Sequence, residues 1–325
     1  MKNKTRFIRV VPAVLMVLAL FLLTACGNVG SSSSSNSGSG SGGDTASGKG
    51  PTITVGSKNF TEQYILGNMY ADALAANGFH AVKKLNLGSV QINDQALQKG
   101  QIDLYPEYTG TSLETVLNYK GKTPDTPEKT YQAAKKLYAK RSPSDTMLQP
   151  APYHNTYGIF VTKSAAKKYN LKTLADLAKA SPKLTFVSFS EFQNRSDGYP
   201  NMKKNYPFKF KKILKVNSIG GPIYRGVQQG DGDVGVGFTT DGQLRSSDFV
   251  VMKDPKNIWP YYYPAPVVRA DVLKKHPKIQ GVLNKVSKTL SVETMRKLNA
   301  KVDIDHKDPA EVAKQYLQDQ GLFKK

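Results

Sequence analysis

Aromatic rings gather where the chain leaves regular structure: Tyr105 and Tyr108 in "QIDLYPEYTGT", Tyr153 and Tyr157 in "YHNTYGIF", then Trp259, Tyr261, Tyr262 and Tyr263 in "WPYYYP". Rings that face inward from several loops present negative π-faces, and such a box suits a quaternary ammonium, a cation with no hydrogen bond to donate. Taken singly, a tyrosine at a strand end also caps a core edge, and "WPYYYP" reads equally as a proline-stiffened aromatic plug. Tyr105, at a strand position that faces a core, is assigned to packing. Catalytic chemistry has less to stand on. The histidines, His80, His154, His276 and His306, are remote from one another in sequence, and HExxH, G-x-S-x-G and a phosphate-cradling glycine loop do not occur. "DGDVG" brings Asp231 and Asp233 together without the other ligands of a calcium loop and reads as a tight turn. The expectation is a binding protein with no cofactor, no metal and no catalytic residue. An enzyme whose active residues are assembled from distant segments is the rival class.

The elements that would position these rings alternate. "TITVGSKNF" reads as a short strand ending in a Gly/Ser turn, "TEQYILGNMYADALAANG" as an amphipathic helix stopped at Gly78, and "HAVKKLNLG", "VQINDQALQKG" and "QIDLYPEY" as strand, helix and strand. A helix ("TPEKTYQAAKKLYAKR") leads to the strand "NTYGIFVT". A second series follows: helix "TLADLAKASP", strand "LTFVSF", a polar loop "SEFQNRSDGYP", a helix from about Asn201, strand "KILKVNSIG", helix "PIYRGVQQG" and strand "DGDVGVGF". Three helical segments close the chain, the last opening on Asp308-Pro309 as an N-cap with proline in the first turn. Such alternation predicts an α/β fold. The two series are related at a constant offset of 130, which matches Gly100 with Gly230, Asp103 with Asp233, Tyr108 with Phe238 and Thr109 with Thr239. Two lobes that each end a strand in an aromatic residue and a Thr predict matching walls of one cleft, where strand ends and helix N-termini gather ligands. Chance turn chemistry at Gly-x-x-Asp is the alternative.

The ends and the charge bound the rest. Lys2, Lys4, Arg6 and Arg9 precede the apolar run "VVPAVLMVLALFLL" and the tetrapeptide "LTAC", which resembles the lipobox of bacterial lipoproteins. Residues 1–25 are expected to be a signal peptide, and Cys26 the lipidated residue of a membrane anchor. Cys26 is the only cysteine, which excludes an intramolecular disulfide and a CxxC metal site. The Gly/Ser tract that fills residues 26–50 after that cysteine reads as a flexible tether. The 46 Lys and Arg against 25 Asp and Glu give +21, and loss of the four leader cations leaves +17. The lysines are scattered over helix-like stretches, so the excess reads as a solvated surface near anionic lipid or wall polymer, with no nucleic acid as partner.

Several longer segments carry a resemblance. "ITVGSKNFTEQYILGNMYADAL", "LQKGQIDLYPEYTGTSL", "NTYGIFVT", "FQNRSDGYP", "FTTDGQL", "YYPAPVVR" and "VETMRKLNAKVDIDHKDPAEVAKQYLQDQGL" are similar, in order over nearly all of residues 51–322, to the osmoprotectant-type substrate-binding proteins of ABC importers. These are the glycine betaine, carnitine and choline binders of the OpuC and ProX kind. The resemblance implies a two-lobed periplasmic-binding-protein type II fold, with 51–156 and 264–325 as one lobe and 157–263 as the other. It also implies hinges near 157–161 and 263–267. It assigns an aromatic box to Tyr108, Tyr157 and Tyr262, with Phe238 where the family has a fourth tyrosine. It assigns a grip on a ligand carboxylate to Lys58, Thr111 and Arg195. The bland alternatives are a solvated turn for Lys58 and simple pairing with Asp197 for Arg195. The implied partners are a small quaternary ammonium ligand and separately encoded permease and ATPase subunits, around a monomeric, lipid-anchored body on the outer face of the membrane. Glycine betaine, carnitine, choline and ergothioneine all stay open as ligands. Phe238 keeps a ring face while making the box rim less polar.

Overall fold

Two sheets organise the chain. The computed structural model describes residues 45–46 and 49–323, so the expected leader, Cys26 and nearly all of the Gly/Ser tract lie outside the described residues. The first stretch supplies strands β1 (Thr45–Ala46), β2 (Thr52–Lys58), β3 (His80–Gly88), β4 (Leu104–Tyr108) and β5 (Asp145–Met147). The chain then crosses to a second sheet, where it lays down β6 (Tyr157–Thr162), β7 (Thr185–Phe189), β8 (Lys212–Val216), β9 (Val234–Phe238) and β10 (Phe249–Val251). It returns to the first sheet with β11 (Pro264–Arg269).

The orders are β1-β3-β2-β4-β11-β5 and β10-β6-β9-β7-β8. Reading the second backwards superposes β8-β7-β9-β6-β10 on β3-β2-β4-β11-β5. In each sheet the strand that has just crossed over runs antiparallel to a neighbour built from the local βαβ series: β11 against β4, and β6 against β9. The repeat extends to single residues. Gly100 and Gly230 both take positive φ, 65° and 87°, in the turn that ends a helix, a conformation glycine adopts without a Cβ clash. Asp103 and Asp233 then each accept a backbone N–H, from Thr54 and Thr185, both at 2.8 Å.

The β4/β11 seam ends for a stated reason. Pro106 stands opposite Pro266 in register, and neither has an N–H to give, so the ladder thins as it reaches the last pair, Tyr108 and Pro264. In the other sheet the last pair is Phe238 and Tyr157. The strand-terminal residues Tyr108, Tyr157 and Phe238 thus gather in one hydrophobic cluster.

Helix α1 (Thr61–Ala76) departs from the amphipathic expectation. Ile65, Leu66, Met69, Tyr70 and Leu74 are fully buried, and so are most residues between them, because the first sheet covers one flank and the C-terminal helices the others. Each such side chain contributes about 1.5–3 kcal/mol when removed from water. The expected polar loop after β7 contains one helical turn, Ser190–Asn194, and the next helix starts at Tyr199 with Pro200 in its first turn, two residues before Asn201. Asp308 caps the last helix through Ala310 and Glu311, as its sequence predicts. Among the described residues no helix is long and apolar enough to cross a membrane.

Candidate functional site

All seven expected ligand residues, Tyr108, Tyr157, Tyr262, Phe238, Lys58, Thr111 and Arg195, line one cavity between the strand ends of the two sheets. Tyr108 is the last residue of β4. Its backbone N–H is taken by the Glu107 carboxylate at 2.7 Å, and its hydroxyl donates to Glu62 at 2.8 Å. The following residue clamps the return crossing to this wall. The Thr109 hydroxyl donates to the carbonyl of Tyr261 (2.6 Å) and accepts from the N–H of Tyr263 (3.1 Å), which pins Tyr262 between them. Tyr262 is edge-on to Tyr157, ring centroids 5.8 Å apart, and its hydroxyl donates to Asp197 at 2.7 Å. Tyr157 stacks beside Phe238, its register partner, at 5.6 Å and 25°.

Both readings of "WPYYYP" hold, for different residues. Only Tyr262 faces the cavity; Trp259 backs Tyr157 edge-on at 5.1 Å, and Tyr263 stacks on His154 at 5.5 Å. Tyr105 is fully buried in a separate cluster with Leu97 and Tyr138.

The cations are not solvated. Lys58 is 3 % exposed, ion-pairs with Glu107, and holds its Nζ 4.6 Å from the Tyr108 ring centroid, so the solvated-turn alternative fails. Burial lowers the Lys58 ammonium below the ordinary lysine range, against the pull of Glu107. Arg195 forks onto Asp197 through Nε (2.8 Å) and Nη2 (2.5 Å), and Nη2 also reaches the Thr111 hydroxyl at 3.4 Å. Its guanidinium lies 5.9 Å from the Tyr157 ring centroid. Burial works against the Arg195 charge, but the paired carboxylate of Asp197 holds the guanidinium charged and its pKa is raised. Burial likewise raises the phenols of Tyr108, Tyr157 and Tyr262, which stay neutral and act as π-faces and donors. Among the described residues the hydrogen bonds of Arg195 engage Nε and Nη2.

Six lining residues were not anticipated from sequence: Phe60, Val90, Asn155, Phe189, Glu191 and Ile219. Phe60, just before α1, stacks between Tyr108 (6.4 Å, 18°) and Phe238 (5.5 Å, 27°), and so bridges the two walls. Asn155 is 5 % exposed, and its Oδ1 is buried without a hydrogen-bond partner. Glu191 is half-buried at the cavity's edge. Phe60 sits in a segment that reads as a turn, and Asn155 in one that reads as a strand, so neither residue type signalled a site. The cavity holds about 40 Å³, room for a few waters. A polyatomic cation seated against several rings needs their centroids farther apart than the 5.5 Å between Phe60 and Phe238.

Two repeated α/β units, joined by two crossings and meeting in a ring-lined cleft with buried cations, make a bilobal solute-binding domain. The chain belongs to the family of substrate binding domains of ABC-type glycine betaine transport systems, whose model matches residues 51–319. It is 33% identical over 275 residues to the carnitine transport binding protein OpuCC of Listeria monocytogenes, covering 84% of this chain and 88% of that one. It is 31% identical over 272 residues to the ergothioneine transport permease/ergothioneine binding protein EgtU of Helicobacter pylori (strain G27), covering 83% of this chain and 48% of that one. A crystal structure of a glycine betaine/carnitine/choline ABC transporter protein superposes with a TM-score of 0.69 at 29% identity, over 85% of this chain and all of that one.

Proposed function

We propose that this chain captures a trimethylammonium compound of the glycine betaine, carnitine or choline type and delivers it to a separately encoded permease driven by an ATPase. The observation that carries the reading is the convergence of Phe60, Tyr108, Tyr157, Phe238 and Tyr262 from both units on one cavity, with Arg195 beside them. The rings hold the cation by π-faces. A ligand carboxylate pairs with the guanidinium of Arg195, with Lys58 and Thr111 close by. Each cation–π contact contributes about 0.5–2 kcal/mol, so three or four support micromolar affinity after ordering costs. On this reading the lobes, 51–156 with 264–325 and 157–263, swing about the two crossings and close over the ligand. Cys26 is the anchor and residues 26–50 the tether, which place the domain on the outer face of the membrane. Ergothioneine, a larger trimethylammonium zwitterion, is the second reading, favoured by the similarity to a protein named for it.

Titration calorimetry with glycine betaine, carnitine, choline and ergothioneine tests the proposal. Heat with at least one of them at micromolar affinity is expected. No heat with any, together with turnover of a test ester or peptide, would replace it with the rival class, a lipid-anchored surface enzyme.

A further inference from the structure

Glu62 lies in the first turn of α1, is 2 % exposed, and does not line the cavity. Five donors converge on it. Oε1 accepts from the hydroxyls of Tyr108 (2.8 Å) and Tyr153 (2.9 Å) and the amide of Asn155 (3.1 Å). Oε2 accepts from the Thr240 hydroxyl (2.6 Å) and the Asn299 amide (3.3 Å). Both oxygens act only as acceptors, the pattern of an ionised carboxylate. The N-terminal turn of α1 adds its own positive end.

The charges around the box do not cancel. Glu107 is matched by Lys58 and Asp197 by Arg195. Among the described residues no lysine or arginine ion-pairs with Glu62, whose partners are all neutral donors. Glu191, the other acid nearby, lines the cavity and is half-buried, with one carboxylate oxygen buried and without a hydrogen-bond partner. Of the two acids without a cation, Glu62 is the more fully buried, and it sits one hydrogen bond behind the Tyr108 ring.

We propose that Glu62 is the buried counter-charge of the cation site, acting through the Tyr108 hydroxyl. By drawing on the phenol's proton it enriches the Tyr108 ring face, and its own field favours a cation over a neutral group of the same shape. Glu62 is a positioning and polarising residue, since it touches the wall and not the ligand. The inference rests on the proposed function.

The test compares glycine betaine with 3,3-dimethylbutanoate, its carbon isostere, which keeps the carboxylate and the shape but carries a neutral tert-butyl head. The full chain is expected to prefer glycine betaine. Glu62→Gln is expected to reduce the ratio of the two affinities about thirtyfold, the order expected for a unit charge roughly 8 Å away at an effective dielectric near 20. Thr240→Val and Tyr153→Phe remove one donor each while keeping the carboxylate, and are expected to hold the ratio within about twofold. Tyr108→Phe keeps ring and carboxylate but cuts the link between them, and is expected to lower the ratio several-fold; it decides the matter if Glu62→Gln does not fold. Equal losses for both compounds would make Glu62 a structural residue only and overturn the inference. An unaltered chain that binds none of the trimethylammonium compounds would overturn the proposed function instead.

Discussion

A tyrosine in a cation box offers a ring face and a hydroxyl, and Tyr108 allows the two to be separated. Tyr108→Ala removes the face and opens a hole beside Phe60, and is expected to abolish measurable binding. Tyr108→Phe keeps the face and loses the hydrogen bond to Glu62, so a loss of about three- to tenfold is expected in calorimetry. Equal losses would show that the hydroxyl matters more than the ring. Arg195 makes a complementary case. Lys cannot reproduce the fork onto Asp197 while still presenting a donor to a ligand. Arg195→Lys is expected to weaken glycine betaine by about tenfold or more and choline, which has no carboxylate, by clearly less. A uniform loss would assign Arg195 to holding Asp197 and Tyr262 in place rather than to a ligand carboxylate. Phe238 is informative for what it lacks: between Phe60 and Tyr157 it adds a ring and no hydroxyl.

Among the elements, the segment after β9 ties the wall residue Phe238 to the Gly221–Gln228 helix. Asp241 accepts from the backbone N–H of Phe238 and the hydroxyl of Tyr224, both at 2.8 Å. Burial raises its carboxyl from 3.8 to about 7, against those two hydrogen bonds. The folded chain therefore keeps a proton at Asp241 that the unfolded chain has lost, between pH 3.8 and about 7. Its contribution to stability is complete below that window and is lost as pH rises through it. Asp241→Asn, which still presents an oxygen to both donors, is expected to flatten the fall in melting temperature between pH 5 and pH 8. An unchanged slope in thermal unfolding would locate the titration elsewhere, Asp145 being the next candidate, raised to about 6 chiefly by burial. These elements also show what sequence carries and what it does not. Alternating apolar residues, helix stops and the offset of 130 disclosed the strands, the repeat and the wall residues Tyr108 and Phe238, since those signals are local or periodic. The burial of α1 was hidden because the helices that cover it lie more than 200 residues away in the chain. Phe60 and Glu62 were hidden for the same reason: their partners are brought by the fold, and a Phe before a helix followed by a Glu in its first turn is ordinary helix-start chemistry.

For the molecule as a whole, the question is what holds the two units at a given angle. The cavity offers one answer, since Phe60 and Phe238 meet across it. A second lies outside the cavity, in the Val292–Asp303 helix. By chain position this helix goes with the first sheet, against which α1 packs it, yet its buried Asn299 and part-buried Arg296 grip the other unit. Arg296 donates to the carbonyl of Thr239 through Nη2 (2.7 Å) and Nε (3.2 Å), and Asn299 donates to the carbonyl of Thr240 at 2.8 Å. Hydrogen bonds from a charged group contribute about 1.5–3 kcal/mol. If the tie forms only when the walls are together, removing it lowers the fraction of binding-competent molecules, and apparent affinity falls by that fraction. Arg296→Ala, which touches no residue of the cavity, is expected to weaken glycine betaine by about three- to tenfold. It is also expected to increase the radius of gyration of the ligand-free chain in small-angle scattering, with the ligand-bound radius unchanged. Weaker binding with no change in the ligand-free radius would show that the Arg296 contact is kept in both arrangements, and that Phe60 and Phe238 alone set the balance between them.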